Sequence, residues 1–374
     1  MNSAFSLLGV EFTLNRFPIR QKETFQAWDA SDEYLIEHVE TCLPPKGSRI
    51  LILNDNFGAL SCWFASKGYS VTLVSDSFIA HEATRQNLLQ NGLGEIEHVD
   101  CLAPFPEDSA LVLLRLPKSQ RLLSWQLSKL SKDLPTGIPV VGTAKARDIH
   151  TSTLKLVEEY LAPCTTSLAK KKSRLVFCET AKNGSSIPET TSFSVPEFGM
   201  TLHNHASVFA GQKLDIAAYL MLPHIPQDGA MKHIIDLGCG NGVLALQAAR
   251  LNPRAKVTCV DESLMAVTSA KLNMQADLGP EVNADWLAND CLTGFETNSA
   301  DMVLCNPPFH QQHTVTDHIA WQMFRDAKRV LNKGGKFLVI GNRHLGYHAK
   351  LKRLFGSSRV IASNAKFVII EAYK

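Results

Sequence analysis

Apolar and polar positions follow two alternating patterns along the chain. Short runs rich in β-branched residues, such as the run that begins at His233, precede longer segments with apolar positions three or four residues apart, such as Val243, Leu246 and Ala249. The first pattern is typical of buried strands and the second of amphipathic helices. Strands that alternate with helices build parallel sheets. Both halves of the chain are therefore predicted to have an α/β fold.

The two halves also repeat each other. The segment RILILNDNFGALSCWFA in the first half aligns with HIIDLGCGNGVLALQAA in the second, and later segments match in the same order. The offset grows from 184 residues, between Ile50 and Ile234, to 192 residues, between Glu179 and Glu371. Matches that stay collinear over about 130 residues indicate a duplicated domain.

Residues 180–198 separate the two copies. This stretch is rich in Ser, Thr, Gly and Pro and has no helical periodicity, as expected between domains. We assign residues 1–185 to the first domain, 186–198 to a linker and 199–374 to the second domain. The length of 374 residues suits two domains of ordinary size.

Composition narrows the class of protein. Hydrophobic residues make up 45% of the chain and charged residues 20%, as in folded globular proteins. No run of about 18 apolar residues is present, and Glu11 and Arg16 interrupt any signal-peptide core. The nine cysteines form no C-x-x-C pair, which favours reduced thiols over a disulfide framework or a zinc ribbon. We therefore predict a cytoplasmic protein without a membrane segment or a bound metal.

Charge is unevenly distributed although the formal net charge is only +2. Residues 115–182 contain 13 Lys and Arg but five Asp and Glu, an excess of 13 − 5 = 8 positive charges. Such a patch is typical of a surface that binds a polyanion such as nucleic acid. A solvated helix face would explain it equally well.

A glycine-rich turn follows the strand predicted at His233 and opens a helix. Its candidate ligand-binding residues are Asp236, Gly238, Gly240, Asn241 and Gly242. Glycine lets the backbone adopt left-handed conformations and approach a ligand closely. A dinucleotide-binding fingerprint would need its third glycine where this chain has Val243. An acidic residue followed by this glycine spacing instead resembles the first motif of S-adenosylmethionine-dependent methyltransferases.

Two acidic residues come at the ends of the next predicted strands. Asp261 lies 23 residues after Gly238, where a carboxylate can accept hydrogen bonds from both ribose hydroxyls of an adenosyl group. The alternative interpretation of Asp261 is an N-cap of the next helix. Asp290 follows the third strand, where its side chain can bind the adenine amine.

The fourth predicted strand ends in Asn306, Pro307, Pro308 and Phe309, at the sheet edge where α/β proteins bind ligands. This motif resembles that of methyltransferases acting on planar amino groups. The lone pair of a base amine is delocalised into the ring, so the amine is a poor nucleophile. The Asn306 amide oxygen and the Pro307 carbonyl can accept its two hydrogens and localise the pair. Phe309 can stack on the base.

Together these motifs resemble the bacterial ribosomal RNA guanine-N2 methyltransferases. The similar segments are DLGCGNG, VDES, CNPPFH with the following QQH, and NHASVFAGQKLD. The resemblance covers nearly the whole chain and implies two tandem Rossmann-like methyltransferase domains, the N-terminal copy degenerate. It also implies S-adenosylmethionine as the cofactor, bound by the glycine-rich turn, Asp261 and Asp290, and a guanine N2 amine of ribosomal RNA, held by residues 306–309. Segments such as LILNDNFGALSC favour 23S RNA as substrate, with 16S RNA as the alternative.

The first copy lacks the residues assigned to the ligands. Ile52 stands opposite Asp236 and Arg115 opposite Asn306, so this copy is predicted neither to bind the cofactor nor to catalyse. What remains is a fold with a basic surface, which we predict to grip RNA phosphates. The residues predicted to do so are Arg115, Lys118, Lys145, Arg147, Lys170, Lys171 and Lys172.

Three other functions stay open on the residues alone. A protein-glutamine methyltransferase shares the Asn-Pro-Pro motif, but it would leave the duplicated basic domain unexplained. The missing third glycine disfavours an NAD-dependent oxidoreductase. The presence of Asp236, Asp261 and Asn306 disfavours a non-catalytic RNA-binding protein. No obligatory protein partner is evident.

Overall fold

The computed structural model describes residues 3–20, 23–184, 186–209, 211–308 and 313–374. The chain divides into two compact units, Met1–Glu189 and Thr190–Lys374. Each unit contains a seven-stranded sheet and a separate two-stranded hairpin. None of the described helices combines the length and the apolar character needed to cross a membrane.

The first unit alternates strands and helices as its sequence predicts. Its strands are β1 (Ala4–Leu7), β2 (Val10–Thr13), β3 (Arg49–Leu53), β4 (Ser70–Ser75), β5 (Glu97–Asp100), β6 (Ser109–Arg115), β7 (Pro139–Lys145), β8 (Thr165–Thr166) and β9 (Ser173–Glu179). Its helices are α1 (Ala30–Val39), α2 (Ala59–Ser66), α3 (Phe78–Gln90), α4 (Gln120–Asp133) and α5 (Thr151–Tyr160), with a 3-10 turn at Ala146–Asp148.

The second unit repeats this order. Its strands are β10 (Thr191–Val195), β11 (Met200–Asn204), β12 (His233–Leu237), β13 (Lys256–Asp261), β14 (Ala284–Ala288), β15 (Ala300–Cys305), β16 (Leu331–Asn342), β17 (Arg359–Ser363) and β18 (Phe367–Tyr373). Its helices are α6 (Ile216–Met221), α7 (Val243–Leu251), α8 (Leu264–Leu278), α9 (His313–Val330) and α10 (Tyr347–Phe355). The 3-10 turns are Pro196–Phe198, Leu222–His224 and Arg343–Leu345.

The two large sheets have the same topology. Their strand orders are β5-β4-β3-β6-β7-β9-β8 and β14-β13-β12-β15-β16-β18-β17. The first five strands of each order are parallel, and β9 and β18 run antiparallel to their neighbours. The predicted α/β fold with two tandem copies is confirmed.

The central strands are largely apolar because both faces of each sheet are covered. In β12, Ile234 packs into one hydrophobic cluster with Leu244 of α7. Ile235 and Leu237 point to the other face and pack with Phe324 of α9. The residues that leave this sheet at its carboxyl edge are therefore fixed by a core on both sides.

One hydrogen-bond network occurs in both units and extends the repeat to the hairpins. The Asn273 side chain accepts from the His203 amide at 2.7 Å and donates to the His203 and Asn241 carbonyls, each at 2.9 Å. Asn87 makes the same three contacts, with the backbone of Asn15 and the carbonyl of Phe57, at 2.7 to 2.9 Å. The duplicated unit thus includes the hairpin, whose sequence shows no clear repeat.

The stretch assigned to a linker is largely structured. Residues 191–195 form β10 and pair with β11 in the second unit. Val195 is buried and Phe193 packs against the core, with the exposed Ser194 between them. This alternation is the period of a strand, whereas the composition of the stretch suggested a linker. The compact second unit begins at Thr190.

Candidate active site

The glycine-rich turn and the Asn-Pro-Pro motif lie side by side in the second unit. From β12 the chain adds strands on one side of the sheet, and from β15 it adds them on the other side. Open α/β sheets bind ligands at such a reversal of strand order. Leu237 pairs with Cys305 at the ends of these strands, so Gly238 and Asn306 leave the sheet at neighbouring points. A Cβ atom on Gly238 would lie 3.9 Å from the Asn306 carbonyl oxygen.

The glycines of the turn have different roles. Gly238, Gly240 and Gly242 all have positive φ angles, of 76°, 52° and 77°. A Cβ atom on Gly242 would lie 2.7 Å from that of Ala270 in α8, so Gly242 serves the close packing of α7 and α8. Nothing lies within 4 Å of the corresponding position on Gly240, where the backbone faces open space.

Asp236 is fully buried beneath this turn. Its Oδ2 accepts a hydrogen bond from the Ala245 amide, 3.0 Å away, near the start of α7. Its Oδ1 is buried without a hydrogen-bond partner among the described residues. Burial raises the pKa of Asp236 to about 7, because the charged form is poorly solvated there. A positively charged group above the turn would compensate this carboxylate.

Asp261 and Asp290 lie at the ends of the next strands. Asp261 accepts from the Gly240 amide at 2.9 Å and from the Ser263 amide at 3.0 Å. Ser263 is the N-cap of α8, so the alternative interpretation of Asp261 as that cap is wrong. Asp290 is buried and accepts from Nε2 of Gln322 in α9, 2.9 Å away, a contact that the sequence did not indicate.

Asn306 is held by a residue that sequence reasoning missed. Its Nδ2 donates to Oδ2 of Asp215, 3.0 Å away, and Asp215 is the N-cap of α6. Since a carboxylate only accepts, this bond fixes which end of the amide is Nδ2. The Asn306 Oδ1 is buried and has no partner among the described residues. An Asp before an apolar helical run is an N-cap signal, but that signal does not reveal the contact with Asn306.

The rest of the motif is only partly visible. Pro307 is buried and Pro308 is exposed. Phe309, predicted to stack on the base, lies outside the described residues. Among the described residues, no group of three or more His, Cys, Asp and Glu side chains is arranged to hold a metal ion.

Comparisons with known proteins identify the family of the chain. Residues 2–182 match the family model of the RLMG N-terminal domain, and residues 199–371 match that of the methyltransferase small domain. The chain is 54% identical over 377 residues to the ribosomal RNA large subunit methyltransferase G of Vibrio vulnificus (strain YJ016), with 100% of both chains covered. It is 54% identical over 375 residues to that of Photobacterium profundum, with the same coverage. The chain belongs to the ribosomal RNA large subunit methyltransferase G family.

A solved structure shares the fold of this methyltransferase G family member. It is the T. thermophilus 16S rRNA N2 methyltransferase in complex with AdoMet and guanosine, with a TM-score of 0.77 and 21% identity. The similarity covers 99% of this chain and 97% of that chain. At this identity it shows the fold alone. Family membership confirms the predicted family and the prediction that the chain is a methyltransferase.

The N-terminal copy fills its equivalent of the active site with an ion pair. Arg115, opposite Asn306, donates to the buried Asp32 and, at 3.1 Å, to Asp29. Asp29 is the N-cap of α1, as Asp215 is of α6. An arginine thus occupies the place of the amide and is held by the equivalent acidic residue. The prediction that Arg115 grips RNA phosphates is therefore wrong, because its guanidinium is engaged by two carboxylates inside the domain.

A buried carboxylate persists in the N-terminal copy at a shifted position. Asp55 accepts from the Ser61 amide at 2.8 Å and from the Gly58 amide at 3.2 Å. Ser61 is equivalent to Ala245, the partner of Asp236, although the alignment places Ile52 opposite Asp236. A shift of three residues along the turn hid this equivalence from the sequence comparison.

The other predicted RNA-binding residues meet at one edge of the N-terminal sheet. Lys118 follows β6 and Lys145 ends β7, so both lie at the carboxyl edge. Lys145 pairs with Ser173, the first residue of β9, which places the exposed Lys170–Lys172 turn at the same edge. The Arg147 side chain is 70% exposed. Lys171 contacts Glu33 at 2.7 Å and Lys170 contacts Glu37, but exposed ion pairs are weak and compete poorly with a polyanion.

Proposed function

We propose that this methyltransferase transfers the methyl group of S-adenosylmethionine to the exocyclic N2 amine of one guanine in 23S ribosomal RNA, in the cytoplasm. The observation that carries the proposal is the buried Oδ1 of Asn306, whose orientation Asp215 fixes. Because it accepts no hydrogen bond from the described residues, it is suited to accept one from the amine of a target base.

The residues present fit the cofactor, which supplies a methyl group on a positively charged sulfur. The open, left-handed Gly240 allows close approach of a ligand to the backbone. The unpaired Oδ1 of Asp236 provides negative charge for the cationic part. Asp261 and Asp290, at successive strand ends, are proposed to hold the ribose and the adenine.

The transfer itself needs alignment rather than a strong base. Asn306 and the Pro307 carbonyl accept the two amine hydrogens, which localises the nitrogen lone pair towards the methyl group. The two prolines fix the backbone at this point. The methylated amine is strongly acidic and loses its proton to water, so most of the rate enhancement comes from orientation.

The substrate is tested by nucleoside mass spectrometry of 23S and 16S RNA from cells that lack the protein. We expect the loss of one N2-methylguanosine from 23S RNA and no change in 16S RNA. The purified protein with S-adenosylmethionine should restore the modification on protein-free 23S RNA, since no partner is proposed. Loss from 16S RNA would assign the smaller subunit instead. No change in either RNA would contradict the proposed substrate.

The N-terminal copy is proposed to bind RNA through its basic edge. In the full chain, Lys145→Ala combined with Arg147→Ala is expected to raise KM for 23S RNA about 10-fold. The turnover at saturating RNA should stay unchanged, because neither residue belongs to the catalytic unit. Steady-state kinetics measures both quantities.

The control removes the same charge from the opposite edge of that sheet. Lys46 precedes β3 and Lys132 lies near the end of α4, and both are exposed. Lys46→Ala combined with Lys132→Ala should leave KM close to that of the unaltered protein. Equal KM values for the two double variants would remove the basic edge from the RNA-binding surface.

Cofactor binding is expected to weaken in mild acid. The pKa of Asp236 is raised to about 7 by burial, and a cationic cofactor favours the ionised form. Binding therefore releases a proton below pH 7, and Kd for S-adenosylmethionine should rise roughly fivefold from pH 7 to pH 6. Calorimetric titration measures this dependence, and Asp236→Asn should flatten it. The same Kd at pH 6 and pH 8 in the unaltered protein would contradict the role of Asp236.

A further inference from the structure

The second unit also contains a basic segment, which the near-zero net charge of the whole chain does not reveal. Residues 327–370 contain ten Lys and Arg and no Asp or Glu. Such a run without one acid is unusual in a chain whose Lys and Arg exceed its Asp and Glu by only two. The structure shows which of these cations are engaged within the fold.

Several of the ten are bound by the fold itself. Lys336 and Arg359 pair with Glu371, at 3.3 and 2.8 Å. Lys328 donates to the Leu354 carbonyl at 2.6 Å. Arg329 donates to carbonyls of the loop between β14 and β15. All four side chains thus have partners within the unit.

Arg343 and Lys366 differ from these four in position and in partners. Asn342, the last residue of β16, pairs with Phe367, the first residue of β18. The Arg343 amide donates to the Lys366 carbonyl at 3.0 Å, so the two residues are adjacent. Both are exposed, and neither pairs with a carboxylate in the parts of the chain that the structure describes. The Arg343 side chain donates to the Asn364 carbonyl, at 3.2 Å, and the Lys366 ammonium lies over the Phe367 ring, 5.1 Å from its centroid.

The pair lies at the same sheet edge as the candidate active site. Strand β16 is the parallel neighbour of β15, and Val339 is level with Cys305, the residue before Asn306. Arg343 follows four residues after Val339, which is about 13 Å further along the strand direction. It therefore lies beyond the sheet edge on the side where the target base must enter.

The N-terminal copy carries basic residues at the equivalent place. Its Ala146 amide donates to the Lys172 carbonyl at 2.8 Å, the same contact that joins Arg343 to Lys366. Arg147 and Lys172 there belong to the basic edge proposed to bind RNA. The two copies have diverged at the cofactor and amine positions, yet both keep cations where these two strands meet.

We propose that Arg343 and Lys366 bind phosphates of the RNA strand that carries the target guanine, so that the catalytic unit has a backbone-binding site of its own. This inference rests on the proposed function. A guanidinium forms two parallel hydrogen bonds with a phosphate, and a lysine adds a mobile positive charge. Contacts of this kind place the strand in register without reading its sequence.

The test is the salt dependence of 23S RNA binding by the full chain, measured by filter binding with a protein-free transcript. Each phosphate contact on a single strand contributes about 0.7 to the slope of log K against log salt. Arg343→Ala combined with Lys366→Ala removes two such contacts and should therefore reduce the slope by about 1.4. Affinity at low salt should fall about 10-fold. S-adenosylmethionine should bind as before, which shows that the variant is folded.

The matched control is Lys333→Ala combined with Lys352→Ala. Lys333 is exposed near the start of β16 and Lys352 is exposed in the last turn of α10, so this variant loses the same charge elsewhere on the unit. Its slope should stay close to that of the unaltered protein. Should the first double variant not fold, Arg343→Ala and Lys366→Ala singly should each give about half the change in slope.

Two results would overturn the inference, and they are distinguishable. In the first, the unaltered protein methylates 23S RNA but both double variants bind that RNA with the salt slope of the unaltered protein. The proposed phosphate site would then be excluded, while the proposed function would stand. If the unaltered protein binds S-adenosylmethionine but neither binds nor methylates 23S RNA, the proposed function fails and the phosphate site fails with it.

Discussion

Replacement of Asn306 by alanine is expected to slow methyl transfer to 23S RNA by a factor of about 10² to 10³, the range found when one polar group that stabilises a transition state is removed. The variant lacks the acceptor that is proposed to localise the lone pair of the amine. S-adenosylmethionine should bind with unchanged Kd. Single-turnover transfer of labelled methyl groups measures the rate without the contribution of product release.

Asn283→Ala is the matched control, since Asn283 is exposed before β14 at the opposite edge of the same sheet. Its rate should equal that of the unaltered protein. Asp215→Asn should give a smaller loss, because an amide partner no longer fixes the orientation of Asn306. Full activity of Asn306→Ala would mean that the amine is held by other groups.

Replacement of Asp261 by alanine is expected to weaken S-adenosylmethionine binding by on the order of 10²-fold. Hydrogen bonds from hydroxyls to a charged acceptor contribute about 1.5 to 3 kcal/mol each, and two ribose hydroxyls are proposed to donate here. The Gly240 amide also loses its acceptor, which loosens the turn. Calorimetric titration with the cofactor measures Kd, and turnover at saturating cofactor should largely recover.

The control for this change is Asp285→Ala. Asp285 lies in the neighbouring strand β14 and pairs with Lys256 at 2.5 Å on the surface, so its removal tests the loss of a carboxylate from the same sheet. Asp261→Asn should fall between the two variants because it keeps one acceptor oxygen. Equal Kd values for Asp261→Ala and Asp285→Ala would exclude Asp261 from the cofactor site.

Comparison with the N-terminal copy distinguishes glycines that are needed for packing from glycines that are candidates for ligand contact. Gly58 of the N-terminal copy retains the left-handed conformation of Gly242, and its Cβ would lie 2.9 Å from Thr84. The positions of Gly238 and Gly240 are taken by Asn54 and Asn56 in that copy. Close helix packing is present in a copy that lacks the candidate cofactor residues, so Gly242 is better explained by packing than by cofactor contact.

The sequence by itself determined the α/β class, the duplication, the position of the candidate active site and the methyltransferase family. These features depend on local order: an apolar run predicts a strand, and a motif that directly follows a strand lies at its carboxyl edge in any parallel sheet. The strand in the predicted linker was missed because its period-two pattern spans only five residues within a Ser- and Thr-rich stretch.

Only the tertiary structure decided which polar groups meet. Asp215 and Asn306 are 91 residues apart, and Arg115 and Asp32 are 83 residues apart. Whether such groups pair depends on strand register and helix packing, which no local pattern specifies. A hydrogen bond forms only within a few tenths of an ångström of its ideal length. For that reason Arg115, predicted from the sequence to bind phosphate, is a half-buried structural group, and Asp215, which the sequence analysis did not single out, orients the Asn306 amide.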